Sequence, residues 1–168
     1  MGLSVPPPSR LHLLSLFWGV AAFALDRGHK FWQVDLQGWR GGEYVPVTGF
    51  FDYVLVWNTG ISYGLLGDVP VPLLAALMAI AIVALSVWWW RAPQRLVQIG
   101  LMLCIGGALS NAVDRLLYGA VADFFHFHWQ AWSFYIFNIA DMMISFGVLL
   151  LILDLLGIGR PRQAADGT

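Results

Sequence analysis

The chain has 168 residues, of which 59% are hydrophobic and only 11% charged, with nine Trp and eleven Phe; its mean hydropathy is +0.70. This balance excludes an ordinary soluble domain and suits a chain that anchors aromatic rings at two membrane–water interfaces. A formal net charge of −1 supplies no basic field for nucleic acid, and the single cysteine, Cys104, forms no internal disulfide.

Four apolar stretches follow in order, at about 11–25, 69–90, 96–117 and 132–156. A span needs about 20 apolar residues at 1.5 Å rise each, which the last three meet and the first reaches by borrowing neighbours. The first stretch ends in Leu25-Asp26-Arg27, without a small-x-small cleavage site, so it is expected to be retained as a span. Arg10, Arg91, Arg95, Arg160 and Arg162 fall on one side of a four-span topology, which makes that side cytoplasmic and both termini internal. The expected class is therefore membrane α-helical, one four-span domain over 1–168, with outer segments at 26–68 and 118–131. Residues 44–48 and 50–57 are β-branched and aromatic between glycines, and predict a small antiparallel sheet in the first outer segment. Gly60 and Gly64 mark a turn or a close approach, and the tail 159–168 is expected to be disordered.

Polar residues inside the spans carry the chemistry. Gly107, Asn111 and Asp114 share one face of the third span, and Asn138, Asp141 and Ser145 share one face of the fourth. A carboxylate at a span centre costs on the order of 2.5–3.5 kcal/mol, so two such faces turn toward each other or toward a wet cleft. Asp114 is expected to pair with its neighbour Arg115, and Asp26 with Lys30 four residues on. If span four begins near 132–134, Asp141 lies about 10 Å below the outer surface. A turn at Tyr118-Gly119 would fold Asp123 back toward it. Two acids sharing one proton can activate a water, one as base and the other as donor to a carbonyl oxygen.

Spacing alone leaves alternatives open. Asn111 and Asn138 suit plain hydrogen bonds between helices. His126 and His128 alternate as in a strand and have no third ligand at helpful spacing, so they are expected to be interfacial histidines and no metal or cofactor is expected. A small proton-coupled transporter or channel subunit would use Asp114 and Asp141 as relays, but it would place them near the midplane and often in repeated halves. A non-catalytic assembly protein would use the same polar faces to bind partner helices.

Four segments jointly resemble one family. Leu25-Asp26-Arg27-Gly28-His29-Lys30 is similar to its acid-to-lysine box, and Trp57-Asn58-Thr59-Gly60-Ile61-Ser62-Tyr63-Gly64 to its Asn-x-Gly-x-x-aromatic-Gly motif. The run from Gly106 to Arg115, followed by Gly119-Ala120-Val121-Ala122-Asp123-Phe124, resembles its longest signature, and Phe137-Asn138-Ile139-Ala140-Asp141 its final box. The family is lipoprotein signal peptidase, also called signal peptidase II. The resemblance implies an aspartyl endopeptidase that cleaves a prolipoprotein just before a diacylglyceryl-modified cysteine. It implies Asp123 and Asp141 as the catalytic dyad, Asn58, Gly60, Asn111, Arg115 and Asn138 as substrate-binding, and Asp26, Lys30 and Asp114 as scaffold. It further implies a monomer in the bacterial inner membrane, among lipid, with its site at the outer face. Arg27-Gly28-His29, Ile61-Ser62-Tyr63 and the His126–His128 stretch depart from the family's pattern.

Overall fold

In the computed structural model, residues 10–60 and 71–158 are described. The element order is α1 (Arg10–Lys30), a π-helical turn (Phe31–Leu36), β1 (Tyr44–Thr48), β2 (Phe51–Asn58), α2 (Val71–Arg91), α3 (Arg95–Tyr118), β3 (Val121–Trp129), β4 (Trp132–Ser133) and α4 (Ile139–Leu155). Gly64 and the tail 159–168 lie outside the described residues.

Helix α3 is the axis of the molecule and packs against α1, α2 and α4. Its seam with α4 is built on glycine. A Cβ on Gly107 would meet the Ala140 carbonyl oxygen at 2.6 Å, and one on Gly100 the Gly147 carbonyl oxygen at 2.7 Å. Removing side chains there lets the two backbones touch, the usual device of helices with no water to drive them together. Among the described residues, two helices, Pro72–Arg91 and Arg95–Tyr118, are long and apolar enough to cross a membrane. Much of α2 turns apolar side chains outward, with Ile80 66% and Val83 63% exposed.

Helix α1 runs beyond the apolar stretch at 11–25 because its last turn is satisfied inside the protein: Asp26 and Lys30 are buried there. Helix α3 stops at Gly119, whose φ of +74° suits a residue without Cβ and whose amide donates to Arg115 O at 3.1 Å. The chain then reverses directly into β3.

The sheet is wider than the sequence patterning indicated. Its order is β1-β2-β3-β4, all antiparallel. Half of it comes from the segment between α3 and α4 rather than from the segment between α1 and α2. The fourth apolar stretch is also corrected. Helix α4 starts at Ile139, not at 132, because Trp132–Ser133 form β4 and Phe137 bridges to Phe125. Asn138 is extended, at φ −126° and ψ −178°, and caps the helix instead of lying on its face. Asp141 is consequently in the first turn, a few ångströms along the axis from the helix start.

Candidate active site

The site rests on a buried polar cluster at the end of α1. Lys30 Nζ donates to Asp26 Oδ2 and to Asp114 Oδ2, each at 2.7 Å, and Arg27 also binds Asp114. Asp26 accepts the Ser110 hydroxyl at 2.6 Å and the Ala140 backbone amide at 2.9 Å, so α1, α3 and α4 are tied at one point. The cluster holds two cations and two anions, which offsets the desolvation cost that either sign alone would carry. The Asp26–Lys30 pair forms as expected. The expected Asp114–Arg115 pairing does not. Neighbours on a helix point about 100° apart, so Asp114 turns to α1 while Arg115 donates to Gly60 O at 2.7 Å and Asn111 O at 3.3 Å.

Above this cluster, β3 delivers Asp123 and the first turn of α4 delivers Asp141. Asn138 stands between them. Its side-chain amide donates to Asp123 Oδ1 at 2.7 Å, and its side-chain oxygen accepts the Asp141 backbone amide at 3.0 Å. Asp141 Oδ2 in turn accepts the Asn138 backbone amide at 3.2 Å, which completes a capping box. Asn58 Nδ2 donates to Asp123 Oδ2 at 3.0 Å, and Asn111 Nδ2 to Asp141 Oδ1 at 3.0 Å. Gly60 donates its amide to Asn58 Oδ1 at 3.0 Å. Asn111 and Asn138 also bond to each other, at 3.1 Å.

The two carboxylates line one cavity of about 320 Å³, with Asn58, Asn111 and Arg115 on its polar wall and Met78, Ala108 and Ile144 on its apolar one. Burial, and then the charge of Asp141, push Asp123 up to about 7. An acid in that range holds a proton near neutrality and can give it away. The structure thus brings together Asn58, Gly60, Asn111, Arg115, Asp123, Asn138 and Asp141, and sets Asp26, Lys30 and Asp114 behind them. Tyr135 and Ile136 also line the cavity and were not anticipated. Nothing in their spacing marks them, because they sit in the irregular stretch before α4. The Asn138-x-x-Asp141 spacing ahead of an apolar run was a legible helix start.

Two acids facing one cavity among apolar helices can take up and give a proton there, as acid–base chemistry requires. A family model described as signal peptidase (SPase) II matches residues 19–157. The chain is 49% identical over 167 residues to a lipoprotein signal peptidase of Rhodopseudomonas palustris (strain TIE-1), covering 94% of this chain and 98% of that protein. It is 45% identical over 158 residues to one of Methylorubrum extorquens (strain PA1), covering 89% and 87%. Two solved structures described as a bacterial membrane enzyme superpose with TM-scores of 0.77 and 0.73, at 26% and 28% identity. They cover 92% and 85% of this chain, and 94% and 92% of theirs. The chain belongs to the signal peptidase II family. It is an aspartic-type peptidase that removes signal peptides from prolipoproteins.

Proposed function

We propose that Asp123 and Asp141 are the catalytic pair and that the bond cut lies just before a diacylglyceryl-modified cysteine. The observation that carries this reading is their joint exposure to one cavity while Asn138 holds both. Asp123, titrating near 7, keeps a proton and donates it to the scissile carbonyl oxygen. Asp141, with Asn111 and Asn138 donating to its two oxygens, takes the proton of the attacking water. Addition of the water oxygen to the carbonyl carbon gives a tetrahedral gem-diol; Asp141 then passes its proton to the amide nitrogen, the C–N bond breaks and the amine leaves, and a gem-diol hydroxyl returns a proton to Asp123 as the carbonyl re-forms. No metal or cofactor enters this scheme.

In the same reading Asn58, Gly60, Asn111, Arg115 and Asn138 hold the substrate backbone, and Asp26, Lys30 and Asp114 keep the helices in place. Helices α1 to α4 are the four spans of a monomer in the bacterial inner membrane, with the sheet and both aspartates at the outer face. Support comes from Arg10, Arg91 and Arg95, which lie at the helix ends remote in sequence from the sheet. A substrate anchored by a signal helix and by lipid arrives laterally, so a cleft among apolar helices meets it where it lies. Purified protein is incubated with a diacylglyceryl-modified prolipoprotein and with its unmodified form. Release of the signal peptide from the modified form alone is expected; equal cleavage of both would remove the lipid from the reading.

A further inference from the structure

A second cavity, of about 470 Å³, adjoins the first and shares Asn58, Asp123, Tyr135 and Ile136 with it. Its outer wall carries His126 and Ser133. Strict alternation along β3 would put Asp123 and His126 on opposite faces. A β-bulge prevents this: the amides of Phe124 and Phe125 both donate to Phe137 O at 2.9 Å. Phe124 and Phe125 then both pack around His29, and His126 comes round to the cavity that holds Asp123.

His126 is not a free surface ring. Its Nδ1 lies 3.2 Å from Asp52 Oδ2 and its Nε2 2.7 Å from Ser133 Oγ. Burial works against charge on Asp52, yet hydrogen bonds from Tyr44 and His126 and the nearby His128 hold its carboxyl below the ordinary range. An ionised carboxylate only accepts, so His126 Nδ1 carries its hydrogen toward Asp52 while Nε2 faces the Ser133 hydroxyl. Ser133 gives its hydrogen to His126 Nε2 or to Phe134 O, 3.3 Å away, so its Oγ faces the cavity as an acceptor, backed by the negative charge of Asp52.

We propose that the Asp52–His126–Ser133 chain is a specificity subsite for the part of the substrate that follows the cleavage point, favouring a side chain that donates a hydrogen bond. The inference rests on the proposed function. The first cavity, walled by Met78 and Ile144 of the apolar helices, suits the signal segment; the second, on the sheet, suits the chain leaving the bilayer. His126 is three residues from Asp123 with the bulge between them, about 7–10 Å along the strand, so the residue the subsite reads lies two to four places past the scissile bond.

The experiment uses the full-length protein and lipidated prolipoprotein substrates carrying Asn, Asp or Ala at the second, third or fourth position after that bond. Asn and Asp have the same shape and differ in donor capacity and charge. At one position, kcat/KM for Asn should exceed that for Asp by about three- to tenfold, the range of a single hydrogen bond. That ratio should fall to near one in Ser133→Ala and in His126→Phe. Ser133 is exposed, so its truncation leaves folding intact. A ratio near one at every position, a preference for Asp, or a ratio that survives both substitutions overturns the subsite. Failure of the unsubstituted protein to cleave even the Ala substrates would instead overturn the proposed function, and the subsite with it.

Discussion

Lys30 Nζ donates to Asn111 Oδ1 at 2.9 Å, and that contact leaves the Asn111 amide nitrogen turned to Asp141 at 3.0 Å. A lysine at the end of α1 thus orients a donor at the α4 carboxylate through one intervening side chain. Lys30 is only 1% exposed, so its charge is compensated entirely within the protein.

Lys30→Met should therefore be costly in two ways. It strands Asp26 without a cation, while Asp114 keeps Arg27. Breaking one partner out of a buried ion cluster costs about 3–5 kcal/mol, seen as a lowered melting temperature in detergent. Adding Asp26→Asn removes the stranded charge while its carbonyl oxygen can still accept the Ala140 amide. The double variant should melt above Lys30→Met alone, and strictly additive losses would refute the pairing.

Asp123→Asn and Asp141→Asn should each abolish turnover with expression and membrane insertion retained, since an amide keeps the shape but moves no proton. Asn58→Ala should slow cleavage by about ten- to a hundredfold, the range expected when a buried partner, here Asp123, loses a hydrogen bond. Rates of all three, measured on protein of matched thermal stability, check the division of roles. Near-normal turnover in either aspartate variant would remove it from the pair.

The raised pKa of Asp123 has a signed consequence for stability. Its folded value of about 7 stands above the unfolded carboxylate value of about 3.9, so its proton is bound more tightly in the folded protein. The contribution is complete below the unfolded value and is lost as pH rises through about 7. Stability should fall across that window in the native protein by on the order of 2–4 kcal/mol, read as a falling melting temperature. Asp123→Asn should flatten this fall and melt higher than the native protein at pH 8. A parallel pH profile in the variant would assign the titration elsewhere. Activity resting on the Asp123 proton should also decline on the alkaline side of about 7.

Orientation is open to chemical labelling. Cysteines placed at Gly49 or Ala131, on turns of the sheet, should react with an impermeant reagent added from outside intact inner-membrane spheroplasts. One placed at Pro93, between α2 and α3, should react only after permeabilisation. Native Cys104 is buried and stays silent. The reverse pattern would place the sheet in the cytoplasm and end the outer-face reading.

The sequence by itself determined what depends on short range. Apolar stretches, the arginines beside them, the β-branched run at 44–57 and the Asp26–Lys30 pair were all legible, because helix and strand periods are written within a dozen residues. The motif residues around Asn58, Asp123 and Asp141 were legible for a different reason, as a resemblance carried by four boxes in order. Tertiary structure alone decided who meets whom. Asp114 bonds to Arg27, 87 residues away, and not to the arginine beside it. Strand β3 joins β2 across a sequence gap that contains helices α2 and α3, and so turns two separate interhelical segments into one sheet. Strand β4 and the Phe125–Phe137 bridge hold residues ahead of Asn138 out of the helix, which puts Asp141 in the first turn. The bulge at Phe124–Phe125 then sets His126 beside the same aspartate. Each outcome is fixed by packing against partners far along the chain, where local spacing carries no information.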